Sequence, residues 1–285
     1  MKAVNLIPTK VLFIMVVGIF LPPGAAFAQN AHLGTETELT RAMQQNAVKD
    51  RKDEFGPTVK VDKHEEAAYQ AFLASQNADA ATRIQLGEKF VTQFPNSPYL
   101  PGVYGILTSS YFTIADTDRM LTADNRAIQL DPTNVDVMSL LAMAISRRVK
   151  SSSPGGAEQL QAAEVYAHRA IELIPAMKKP AKVDAAAFEK ARNDKLALAH
   201  SGLGMIAFNH QEYDKAKTEL IQAVQLASVP DPVDYFLLGN ADSRTGEYEK
   251  AAVAFEKCSD SGPLVADCIT RGESARRDAE AKVSH

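Results

Sequence analysis

Six histidines, two cysteines, one serine- and glycine-rich loop and a few adjacent acids are where this chain could assemble a reactive centre. His32, His64, His168, His200, His210 and His285 fall in separate segments, and no two stand at helical spacing with an acidic third ligand nearby, as a histidine-based metal site requires. The run Ser151–Gly156 lacks both the Lys-Ser/Thr that completes a phosphate loop and the strand that precedes one. Ser201-Gly202-Leu203-Gly204 is flanked by helical pattern on both sides, which is not the strand-to-helix turn of a nucleophile elbow. Glu65-Glu66 and the pair Glu247, Glu249 stand at helix starts, where negative charge favours the helix dipole. These patterns assign no catalytic residue, no metal and no cofactor, and they exclude an enzyme whose titratable residues are gathered by sequence motif.

The N-terminus sets the expected compartment. Lys2 and Lys10 precede the apolar run Val11–Leu21; Pro22, Pro23 and Gly24 then break any helix, and Ala26-Phe27-Ala28 supplies the small residues a signal peptidase needs. The expectation is a cleaved signal peptide over 1–28, a mature chain beginning at Gln29, and a periplasmic or secreted protein. A membrane anchor would need ~20 apolar residues, and this run is about half that, so no stable membrane insertion follows cleavage. No cysteine lies near the cleavage point for lipid attachment. The full chain carries a formal charge of −4, and losing Lys2 and Lys10 makes the mature part more acidic. Without a clustered basic face, nucleic acid is not an expected partner. In an oxidising compartment Cys258 and Cys268 could pair if one ends a helix and the other opens the helix running back; two buried thiols remain the other reading.

The elements that must hold these residues are helical throughout. Residues 29–60 mix polar and charged groups without apolar periodicity and read as a flexible leader. Asp62 with Glu65 has the spacing of a capping box, and a helix follows to about Ser75, with a second from about Ala78 to Phe94. Pro95-Asn96-Ser97-Pro98 ends it, with Ser97 expected to cap and Pro98 to open the next helix. Similar punctuation recurs at Asp131–Asn134, Ile174-Pro175, Pro230-Asp231-Pro232 and Ser261-Gly262-Pro263. This divides the chain into about five helix pairs over 61–261 and a capping helix and tail over 262–285. A lengthened helix is expected from about Asp184 to Asn209, and no window shows the alternation of a strand.

The repeats carry the strongest signal. Leu203-Gly204, Tyr213, Ala216, Leu220 and Ala223 recur as Leu238-Gly239, Tyr248, Ala251, Phe255 and Cys258 at one constant spacing of 35 residues. A period near 34 with Leu-Gly in the first helix and Ala-x3-Phe in the second resembles the tetratricopeptide repeat, on Tyr235-x2-Leu238-Gly239 and Ala251-x3-Phe255. In these positions Gly204 and Gly239 let one helix approach its mate. The resemblance implies an all-α, right-handed solenoid that binds another protein or peptide in a concave groove lined by the first helices. On that basis Met205, Phe208, Asn209, Phe236, Asn240 and Arg244 are the expected groove residues, with Asn240 and Arg244 one turn apart. Relatives that clamp a terminal carboxylate also use a basic residue and an asparagine in the preceding first helix, where this chain has Ser201 and Met205. His200 stands where the family usually has an aromatic and is expected to pack. Phe90–Ser97 is similar to one repeat of outer-membrane assembly lipoproteins and cell-division coordinators, which offers the alternative of an accessory subunit of an envelope-biogenesis machine. The primary expectation is an extracytoplasmic interaction scaffold.

Overall fold

The structure, a computed structural model, describes residues 63–181, 183–260 and 262–283. The expected signal peptide, the leader, the Asp62 cap, His32 and His285 lie outside the described residues. Eleven α-helices and no strand occur among those described: α1 Lys63–Ala74, α2 Ala80–Gln93, α3 Leu100–Thr113, α4 Thr117–Leu130, α5 Val135–Arg148, α6 Gly156–Leu173, α7 Ala185–Asn209, α8 Tyr213–Leu226, α9 Pro232–Arg244, α10 Tyr248–Cys258 and α11 Val265–Val283. They form five antiparallel pairs followed by a final helix, a helical solenoid in which each pair packs on the next.

Short polar side chains start five of these helices, because each can accept a bond from an otherwise unpaired first-turn amide. Asp79 accepts from the Thr82 N–H at 2.7 Å, Asp116 from Arg119 at 3.1 Å, Asn134 from Val137 at 3.2 Å, Asp184 from Ala187 at 3.0 Å and Asp231 from Val233 at 2.8 Å. Those backbone bonds also hold the Asp79 and Asp116 carboxyls below their ordinary pKa. The expected start at Pro98 is corrected. Ser97 does accept a bond, from the Tyr99 N–H at 3.1 Å, but it shapes a turn, and α3 begins at Leu100 with Pro101 in its first turn, a position that needs no amide donor. The loop after α5 contains Ser151–Gly155, as its composition suggests, and Gly155 supplies the left-handed φ of +69° that opens α6.

First helices α3, α5, α7 and α9 contact one another in sequence, and so form a row along one side of the solenoid. The closest approach in this row is between α5 and α7. A Cβ on Gly202 would lie 2.6 Å from the carbonyl carbon and oxygen of Ala142, backbone that cannot step aside. Lys195 of α7 pairs with Asp136 of α5 at 2.6 Å further along the same contact. As a result α5 is buried on nearly every side, and Leu198 of α7 reaches the aromatic core of the first two pairs. Within the later pairs the repeat glycine allows the close approach expected of it: a Cβ at Gly239 would meet the Phe255 ring at 2.9 Å.

The last helix turns back along α10. Cys258, which ends α10, and Cys268, in the first turn of α11, form a disulfide with both residues fully buried and Cα atoms 5.9 Å apart. At the other end of α11, Lys282 Nζ donates to the Gly246 carbonyl at 2.8 Å and lies over the Tyr248 ring.

Candidate partner-binding groove

The six residues proposed from the repeat pattern lie on α7 and α9, but the two helices do not expose them equally. Asn209 is exposed, and Phe208 is half-buried, its ring set edge-on against Tyr213 with centroids 5.6 Å apart. Arg244 is exposed as well. Met205, Phe236 and Asn240 are buried, with 6%, 4% and 8% of their surface accessible. The expectation that all six lie on the exposed side of their helices is therefore corrected: three of them are buried. For Phe236 and Asn240 a cause lies at α11, which repeat counting treats only as a cap. Arg271 of α11 donates to Asn240 Oδ1 at 3.0 Å and sets its guanidinium 5.3 Å from the centre of the Phe236 ring. Asn240 Nδ2 donates back to the Phe236 carbonyl at 2.6 Å. Its amide is thus engaged on both sides, and Arg244, one turn on, is the polar residue of that pair left facing outward.

A second constellation on the same row of helices escaped the repeat pattern. Arg147, at the end of α5, donates to Asp231 Oδ2 at 2.8 Å and lies 3.6 Å from Asp234 Oδ1, both in the first turn of α9 or its cap. Ser201, in the middle of α7, donates its hydroxyl to Asp234 Oδ1 at 2.6 Å and lies 3.4 Å from Arg147 Nη2. Burial acts against the charge on Arg147, but the two carboxylates outweigh it and its pKa rises. Burial also dominates at Asp234, pushing its carboxyl up to about 7 against the pull of Arg147. The sequence held clues to two members only, Asp231 as a cap and Ser201 within the dismissed elbow. Arg147 lies 54 and 84 residues from its partners, beyond any local motif. The neighbouring Arg148 donates to the Phe112 carbonyl at 3.1 Å and stacks over that ring at 4.8 Å, and burial, with Arg147 beside it, lowers its pKa.

His200 packs between α7 and α8, its Nδ1 2.7 Å from Glu219 Oε2. Asp124, on α4, is buried with 1% accessible and neither carboxylate oxygen hydrogen-bonded in ordinary geometry. The Thr108 hydroxyl donates to the Tyr104 carbonyl at 2.9 Å. Burial pushes the Asp124 carboxyl up to about 8, with Thr108 acting the other way. Among the described residues, no three His, Cys, Asp or Glu side chains gather as metal ligands do, and no helix is long and apolar enough to cross a membrane.

With this geometry in view, comparison with known proteins places one element firmly. Residues 235–261 match the tetratricopeptide-repeat family model. That segment is similar to a tetratricopeptide repeat. The match runs from Tyr235, within α9, through α10, the segment holding Tyr235, Gly239, Ala251 and Phe255. Among solved structures, a thermophilic tetratricopeptide-repeat protein from Thermus thermophilus aligns at 17% identity over 74% of this chain and 95% of its own, with a TM-score of 0.47. A MamA RS-1 ArsTM double mutant aligns at 12% identity over 77% of this chain and 98% of its own, with a TM-score of 0.45. No curated protein matches the sequence significantly. A tetratricopeptide repeat is a protein-binding fold, and its first helix here is α9, the helix that carries Phe236, Asn240 and Arg244.

Proposed function

We propose that this chain is an extracytoplasmic protein-interaction scaffold that holds a helix or extended peptide of a partner along the row of first helices. The observation that carries the reading is the tetratricopeptide repeat at 235–261 together with the continuous row of α3, α5, α7 and α9, into which its first helix is built. Phe208, Asn209 and Arg244 supply the contact residues on this reading: an aromatic edge for an apolar anchor, an amide for backbone and a cation for a carboxylate. Met205, Phe236 and Asn240 support them from beneath. The scaffold works by binding alone and uses no cofactor. Its extracytoplasmic setting rests on the signal-like segment 1–28, and the buried Cys258–Cys268 bridge suits an oxidising compartment.

The test is a crosslinking pull-down from envelope fractions with the mature chain, beside a variant combining Asn209→Ala and Arg244→Glu whose circular dichroism is unchanged. A partner captured by the wild type and lost with the variant sustains both scaffold and groove. A partner retained by the variant removes the groove assignment, and capture from cytoplasmic fractions alone removes the extracytoplasmic setting.

A further inference from the structure

The groove reading treats the row of first helices as a fixed surface, yet the contact between its third and fifth pairs runs through a cluster of charges. Three helices meet there: α5 brings Arg147, α7 brings Ser201 and α9 brings Asp231 and Asp234. Arg147, Ser201 and Asp231 are the three groups that act on Asp234 from the elements around it; the other titratable residue at the middle of α7, His200, faces away to Glu219. One guanidinium faces two carboxylates, so the cluster is neutral with Asp234 protonated and negative with it ionised.

We propose that Arg147, Ser201, Asp231 and Asp234 form a proton-sensitive joint that sets how tightly α9 is held to α5 and α7, and with that the curvature of the groove. The inference rests on the groove reading only for its consequence; the joint itself stands on the geometry. Asp231 and Asp234 are three residues apart on one turn, so ionising both places a second negative charge on the buried Asp234 beside the half-buried Asp231. Arg147 can bond one of them well, and it does so with Asp231 at 2.8 Å, leaving Asp234 at 3.6 Å. The Ser201 hydroxyl then becomes the nearest donor to the second carboxylate. With Asp234 protonated, the same atoms make an Arg147–Asp231 pair and a hydroxyl–carboxyl bond with no uncompensated charge. Acid therefore tightens the joint and neutral to alkaline conditions loosen it, which is the sign that burial imposes on Asp234.

Hydrogen–deuterium exchange on the mature chain, with no partner present, tests this directly. After correction for intrinsic exchange, segments 143–150 and 229–238 of the wild type should lose protection by up to about tenfold per pH unit between pH 5 and 7 and then level off. Asp234→Asn, which keeps the shape and cannot ionise, should be flat over that range. Ser201→Ala should push the levelling point to higher pH, because it removes a donor to the ionised form. Asp124→Asn serves as the control and should leave the slope at 229–238 unchanged. A flat wild-type profile, or a slope that survives in Asp234→Asn, overturns the joint. Because no partner enters the measurement, failure of the scaffold reading leaves the result readable.

Discussion

In the last two pairs, the helices close on each other through one small residue set against one large one, Gly204 against Leu220 and Gly239 against Phe255. The first two pairs are held by individual aromatic and polar matches. Tyr69 stacks flat on Tyr99 at 4.0 Å, Tyr99 donates its hydroxyl to Glu66, and Tyr111 donates to Glu88 at 2.8 Å. Burial and the neighbouring carboxylates raise the pKa of both phenols, so they stay protonated as donors. One end of the solenoid thus repeats a steric rule; the other shows it once, at Gly87 against Leu107 and Phe72, and adds contacts made once. The once-made end also contains Asp124, a buried carboxyl with no hydrogen bond in ordinary geometry. The repeated end is closed covalently by Cys258–Cys268.

The largest expected effect at the once-made end is its response to pH. Asp124 is pushed up to about 8 in the fold from an ordinary value of 3.8, so the folded chain binds a proton that the unfolded chain releases. The stability this contributes is present below about pH 4 and declines as pH rises toward 8, by ~1.4 kcal/mol per pH unit within that window. Replacing Asp124 with Asn should flatten that part of the slope in denaturant titrations taken at pH 4.5, 6 and 7.5. If the variant keeps the wild-type slope, the carboxyl is ionised in the fold and the first pairs hold a hidden cation or water-filled contact.

Removing the disulfide probes the other end. A bridge closing a loop of this length contributes ~2–3 kcal/mol, mainly by restricting the unfolded chain. The double substitution Cys258→Ala and Cys268→Ala should therefore lower overall stability by about that amount. It should also raise exchange in α11 well before any change in α1–α4. Since α11 carries the Arg271 that covers Asn240 and Phe236, exchange at α9 should follow that of α11. Uniform loss of protection along the chain would mean that the two ends unfold as one unit and that their chemistry is not separable.

This division also explains what was legible in the sequence. Steric repeats print the same residue types at the same spacing, so Leu203-Gly204 and Leu238-Gly239 located the later pairs, and proline and aspartate punctuation located the helix ends around them. Contacts made once leave no period. Nothing local announces that Tyr99 meets Glu66 across 33 residues or that Arg147 reaches Asp231 across 84. The row of first helices was legible as a set of helices but not as a surface. Whether Asn240 faces outward depends on where Arg271 lands, and that is fixed by the packing of α11 on α10 rather than by the register of α9.

The smallest effect separates a stabilising contact from an incidental one at the N-terminal end. Glu88 accepts from the Tyr111 hydroxyl and pairs with Arg119 at 3.3 Å, and Arg119 lies 4.9 Å over the Tyr111 ring. Arg119 and Glu88 are each about half exposed, so water screens the ion pair and it contributes little by itself. The phenol is buried, and its bond to a charged acceptor should carry most of the stabilisation. Tyr111→Phe, which keeps the ring and loses only the hydroxyl, should cost ~1 kcal/mol in chemical denaturation, and Arg119→Ala clearly less. The double variant should show coupling, because removing the phenol leaves Glu88 to Arg119 alone. Equal costs for the two single changes would shift the weight from the buried hydroxyl to the cation over the ring, and the first pairs would then be held by surface charge rather than by buried aromatics.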